Sequence, residues 1–91
     1  MPRPSLSVYA VLLEAGAEQD LKRLDSPVFR RIISRIRSLG SNPRPPGCRK
    51  LHGGTVEWRV RVGDYRVVYE IHDQAQEVRV LRVRHRGEVY R

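Results

Sequence analysis

Three arginines, Arg59, Arg61 and Arg66, are the first chemical lead in this sequence. Residues 56–62 alternate strictly, with Val56, Trp58, Val60 and Val62 on one side and Glu57, Arg59 and Arg61 on the other. That is the period-two pattern of a strand with one buried face. Gly63-Asp64 supplies a two-residue turn with glycine first, suited to type II′, and Tyr65, Val67, Tyr69 and Ile71 resume the alternation. With Gly63-Asp64 as the whole turn, Val62 faces Tyr65, Val60 faces Val67, Trp58 faces Tyr69 and Val56 faces Ile71. A one-residue slip would scramble these apolar rungs, so the register is well determined. The same register sets Arg61 opposite Arg66, with Arg59 one rung further along the same face. Like charges facing each other across a ladder cost on the order of a few tenths of a kcal/mol, so selection for stability alone avoids them. A face that receives an anion gathers them. The guanidinium fork matches phosphate bidentately.

The remaining candidates are weaker. Arg82, Arg84 and Arg86 extend the basic set on a further strand, but Val78 and Val80 share their parity, so the extension requires a bulge or a mixed face. Arg30, Arg31, Arg35 and Arg37 form a second basic set on a helix, where arginine is a routine solvated choice. Glu57 opposite Glu70 is a like-charge pair at the far end of the basic face, a poor candidate for acid–base work beside so many cations. His52, His72 and His85 fall in no metal-binding pattern, so no metal and no cofactor are expected. His85, next to Arg86, is the histidine best placed to titrate near the site. The single cysteine, Cys48, excludes a disulfide framework and a cysteine-based zinc site, which fits a cytoplasmic protein.

The elements that must position these residues are short. Met1 to Ser7 carries two prolines and no pattern, and is expected to be a loose arm without the apolar stretch of a secretory signal. Val8 to Leu13 is an apolar run that predicts a buried strand, far too short for a membrane span. Glu14 to Leu24 places Ala17, Leu21 and Leu24 at helical spacing, with Glu18, Asp20, Lys22 and Arg23 on the surface. Ser26 as N-cap and Pro27 at the first position open a second helix, with Phe29, Ile32, Ile33 and Ile36 as its apolar face and Gly40 as its stop. Only Asp25-Ser26 separates the two helices, which predicts a helical hairpin. Ser41 to Gly47 is a proline-rich loop, and a last strand runs from about Glu77 to His85. The expected fold is therefore α+β in the order β-α-α-β-β-β: a small, twisted, mainly antiparallel four-stranded sheet with the helical hairpin on one face and the other face open. The 91 residues make one domain, 1–91, burying about 64% of the chain's surface. Lys and Arg number 18 against 10 Asp and Glu, a net charge of +8 that points to a polyanionic partner.

Taken together, Lys50-Leu51-x-Gly53, the hairpin WRVRVGDYRVVYEI (Trp58 to Ile71) and the closing LRVRHRGEVYR (Leu81 to Arg91) resemble the RelE/ParE superfamily of toxins from type II toxin–antitoxin systems. The resemblance runs from about Val8 to the end of the chain. RelE-type members are metal-independent, ribosome-dependent endoribonucleases that cut mRNA in the A site and so inhibit translation. Their site has two basic residues on the second strand, an arginine after the hairpin tyrosine, an arginine ending the last strand and a C-terminal tyrosine. Those positions fall here on Arg59, Arg61, Arg66, Arg86 and Tyr90, with Lys50, Arg82, Arg84 and His85 as further nucleic-acid contacts. The resemblance implies attack of a ribose 2′-OH on the adjacent phosphate. In it Arg61 and Arg66 hold the phosphate, Arg86 supports the leaving 5′-oxygen, and Tyr90 orients the nucleotide. Arg59 stands where the founding type has lysine, and arginine does not give up its proton. A base must then be Tyr90, His85, or an RNA or water group.

ParE-type members share the fold but inhibit DNA gyrase without cutting RNA, and a non-catalytic nucleic-acid-binding module is a third reading of the +8 charge. A toxin implies a cognate antitoxin that covers its basic face, in a hetero-oligomeric complex, alongside ribosome and mRNA and no membrane.

Overall fold

The alternating segments pair as a sheet because each has one apolar side to bury. In the computed structural model, residues 8–51 and 56–89 are described. The elements are β1 (Ala10–Leu13), α1 (Ala15–Lys22), α2 (Ser26–Ser38), β2 (Arg49–Lys50), β3 (Glu57–Val62), β4 (Tyr65–His72), β5 (Glu77–His85) and α3 (Arg86–Val89). The sheet order is β1-β5-β4-β3-β2, antiparallel except that β1 runs parallel to β5. The sheet thus has five strands rather than the expected four. The extra strand, β2, is two residues long and carries no periodicity that could announce it.

The β3–β4 register agrees with the sequence arithmetic: Val62 faces Tyr65, Val60 faces Val67, Trp58 faces Tyr69 and Arg61 faces Arg66. Gly63 has φ +60 while Asp64 stays at negative φ, as a type II′ turn requires. Of the two ways around the parity conflict on β5, a bulge or a mixed face, the structure takes the bulge: Tyr69 pairs with Val80 and Val68 with Arg82, so Leu81 is the extra residue. Beyond it Val83 rejoins the core, and Arg84 comes opposite Arg66.

One side of the sheet is the core. Val60, Val62, Val67, Tyr69, Ile71, Val78, Val80 and Val83 pack there with Ala17 and Leu21 of α1 and Ile32 and Ile36 of α2. Tyr69 is fully buried and donates its hydroxyl to the Pro43 carbonyl at 2.7 Å. Burial pushes its phenol above the ordinary range. That bond tethers the proline-rich loop, and Arg44 reinforces it by pairing with Asp73 at 2.9 Å and lying over the Trp58 ring at 5.2 Å. The loop is thereby aimed to deliver β2 onto β3.

Three local expectations are corrected. β1 is an edge strand, not a buried one: Leu12 and Leu13 are 42% and 36% exposed, and only its β5 side is paired. α2 begins at Ser26 with Asp25 as its N-cap, one residue earlier than expected, and no side chain caps it. Asp20, expected on the surface of α1, is 9% exposed. It accepts the Val83 amide at 2.8 Å and chelates Arg82 through Nε at 2.8 Å and Nη2 at 3.1 Å. β1 pairs with β5 only at residues 77–80, so the β5 edge beyond needs another acceptor, and Asp20 supplies it. The close fit explains Gly16, where a Cβ would lie 2.8 Å from Arg82 Cδ and 3.0 Å from the Leu81 carbonyl.

Candidate nucleic-acid interface

The sheet face away from the core is polarised along its strands. At the hairpin end the register lines up Arg61, Arg66 and Arg84 across three adjacent strands. The next row holds Arg49, Arg59, Val68 and Arg82 across β2, β3, β4 and β5. Arg49, Arg59, Arg61 and Arg66, with Gly47, line a concavity of about 310 Å³. Among the described residues, Arg49, Arg59 and Arg61 make no ion pair. Gly47 has φ +90 and nothing within 4 Å of where a Cβ would stand, so the turn it makes leaves the mouth of the concavity open.

The triplet derived from the hairpin is therefore brought together, and it gains Arg49. Sequence reasoning missed Arg49 because β2 is too short to be read. The signal that could have found it is position: the resemblance singled out Lys50, and the residue before it falls on the opposite pleat. Lys50 pairs with Trp58, whose side of the sheet is the core side, so the register does not bring it into the row of Arg59. Arg84 joins the triplet through its rung with Arg66. Arg82 occupies the second row, but its guanidinium is held by Asp20.

His85 lies elsewhere. It pairs with Tyr65, meets that ring edge-on at 5.1 Å, and lines a hollow with Asp20, Arg23, Leu24 and Val83. Its Nδ1 accepts the Gly87 amide at 3.3 Å. Arg86 opens α3 directly after β5. Its amide donates to the Asp64 carbonyl at 2.7 Å and its Nη1 is 3.8 Å from the Asp64 carboxylate, at the hairpin end and largely exposed. Tyr90 lies outside the described residues, as do His52, Gly53 and the expected arm of residues 1–7. No cluster of three or more metal-ligating side chains occurs among the described residues, and no helix there is long and apolar enough to cross a membrane.

The opposite end of the same face is mixed in sign. Glu57 faces Glu70, which faces Arg79; His72 faces Glu77. Glu70 bonds His72 at 2.8 Å, and the Glu77 carboxylate pairs with the Arg79 guanidinium at 2.9 Å, so acids here have partners within hydrogen-bond reach.

A helix pair packed on a mixed sheet whose other face carries a concavity lined by four arginines defines a small α+β protein with one strongly basic surface. The family profile described as the ParE toxin of type II toxin–antitoxin systems, parDE, matches residues 11–90. The chain belongs to that toxin family. Among curated proteins no sequence matches. Among solved structures, the fold is similar to the archaeal RelE–RelB complex from Pyrococcus horikoshii OT3, at TM-score 0.79 and 28% identity over 88% of this chain and 97% of that one. It is also similar to the RelBE2 toxin–antitoxin complex from Mycobacterium tuberculosis, at TM-score 0.76 and 28% identity over 86% and 98% of the two chains. The YoeB/ParE toxin from Agrobacterium tumefaciens shares the fold at TM-score 0.70 and 22% identity over 84% and 96%.

Proposed function

We propose that this toxin is a ribosome-dependent endoribonuclease that cuts mRNA in the A site and thereby inhibits translation, acting in the cytoplasm without a cofactor. The observation that carries this reading is the all-cation row Arg61–Arg66–Arg84 beside the concavity of Arg49 and Arg59. Such a face binds a phosphodiester and favours the extra negative charge of its transition state over the ground state.

In this mechanism Arg61 and Arg66 hold the scissile phosphate. Arg86, exposed at the hairpin end, supports the departing 5′-oxygen. The ribose 2′-OH attacks, the P–O5′ bond breaks, and a 2′,3′-cyclic phosphate is left. Arg59 cannot serve as base, and His85 is turned toward Tyr65 and α1. The proton therefore passes to Tyr90, to water or to an RNA group. A cognate antitoxin, as in the RelE–RelB complex, is the partner that silences the toxin by covering the basic face.

Mapping mRNA 5′ ends by primer extension in a reconstituted translation system, against a ribosome-free control, tests the reading. Codon-phased cuts that need ribosomes are expected, and intact mRNA with normal translation would reject it. The parDE description of the family favours a second reading, gyrase inhibition without nuclease activity. Intact mRNA together with blocked DNA supercoiling would establish that alternative.

A further inference from the structure

A second basic hollow adjoins the first and has no role in the chemistry above. It is about 470 Å³, lies between α2 and the end of β3, and is lined by Arg31, Ser34, Arg35, Ser38, Arg61, Val62 and Gly63. Arg31 and Arg35 are one helical turn apart and so point the same way. Arg31 reaches the hairpin turn, where its Nη1 would stand 3.1 Å from a Cβ on Gly63. The Arg35 Nε is buried and makes no hydrogen bond with any described residue. No carboxylate lines the hollow. Three guanidinium groups thus converge without a counter-charge in the lining, and Arg61 belongs to both hollows.

We propose that this hollow holds flanking phosphates of the same RNA strand whose scissile phosphate lies in the first concavity, so that the strand bends around the β3 edge at Arg61. The proposal rests on the nucleic-acid reading above and adds a second contact region to it. Planar guanidinium forks and serine hydroxyls suit phosphate oxygens. The shared Arg61 makes the two hollows one continuous track, which favours an RNA backbone over an unrelated acidic peptide.

The test measures binding rather than cutting, by fluorescence anisotropy of a labelled trinucleotide and of a roughly ten-nucleotide single-stranded RNA. Ser34→Glu places a carboxylate in the hollow at an exposed helical position, so the fold is kept; R31A/R35A removes the forks. For the longer RNA, either change is expected to weaken binding about tenfold. Each lost phosphate contact is expected to flatten the log–log salt slope by about 0.7. Trinucleotide binding should stay within twofold of the unaltered protein. Unchanged long-RNA affinity and slope in Ser34→Glu would overturn the proposal while leaving the proposed nuclease intact. Loss of polyglutamate binding without loss of RNA binding would overturn it in favour of an acidic protein. Codon-phased cutting fails separately, in the translation assay.

Discussion

The two ends of the open sheet face are made by the same three strands on the same pleat, yet they handle charge in opposite ways. At the far end, acids and bases are interleaved: Glu70 has His72, and Glu77 has Arg79. At the hairpin end, arginine faces arginine across β3, β4 and β5, and Arg49 faces Arg59 on the β2 side. The first arrangement is what a solvated sheet adopts when nothing is to be bound, because opposite charges across a ladder are mildly stabilising. The second sets like charges opposite one another, an arrangement that opposes pairing across a ladder and suits the arrival of an anion. Charge segregation along one face is therefore stronger grounds for a binding site than the net charge of +8, which could be spread evenly. Arg82 sharpens the point. It stands in the basic rows by register, yet Asp20 holds it. That arginine serves the fold, whereas Arg49, Arg59, Arg61 and Arg66 line the concavity.

The largest expected effect separates the two ends by activity. Arg66→Ala should lower mRNA cutting by about 100-fold or more, the scale for losing one fixed group that stabilises transition-state charge. Arg79→Ala, at the mixed end, should leave cutting within about twofold. Single-turnover cleavage on programmed ribosomes measures both. Equal losses would erase the functional distinction between the ends.

Next in size is the edge held by Asp20. Burial opposes its charge, but the Arg82 hydrogen bonds, the Val83 amide and the nearby charges of Arg82 and Arg84 outweigh that and hold the carboxyl below its ordinary 3.8. Folding thus favours the ionised form. That stabilisation is complete above the unfolded-state value and fades as pH falls through the lower folded-state value. Asp20→Asn should cost about 2–3 kcal/mol at pH 7 by urea unfolding. It should also flatten the decline in stability below about pH 4. An unchanged acid profile in the variant would show that Asp20 does not hold that edge.

The parts legible in the sequence share one physical property. Arg59, Arg61 and Arg66 could be placed because a two-residue turn fixes a register, and the register fixes faces, all within residues 56–71. The parity conflict on β5 was legible, since Val78 and Val80 share the parity of Arg82 and Arg84, but not its resolution as a bulge at Leu81 rather than a mixed face. What stayed hidden depends on contacts between distant segments. Arg49 reaches the site only because Tyr69 and Asp73 anchor the proline-rich loop, and a two-residue strand has no period to read. Asp20 and Arg82 are 62 positions apart, and nothing local marks that carboxylate as buried. β1 looked buried because its run is apolar throughout, but strand order in a sheet is not written in any one strand.

Two smaller effects probe the basic rows themselves. RNA binding should weaken with salt along a log–log slope of about −0.7 per phosphate contacted, and Arg84→Ala should reduce the slope by about one such unit. Glu57→Gln, at the mixed end, should leave the slope unchanged. A slope indifferent to Arg84 would take the β5 member out of the contact row.

The smallest effect is the most direct reading of the contrast between the ends. Arg61→Glu turns the Arg61–Arg66 rung into an opposite-charge pair of the kind found at the far end. If the hairpin end carries its like charges for the sake of a ligand, the variant should be more stable than the parent by on the order of 0.5 kcal/mol. It should bind RNA at least about tenfold more weakly. The gain should shrink in high salt, where screening removes the repulsion that the substitution relieves. Urea midpoints at low and high salt measure the first quantity and anisotropy the second. A variant that is both less stable and equally avid for RNA would mean that the rung is an ordinary solvated pair. A variant that is more stable and binds poorly would show stability sacrificed for binding at this one position.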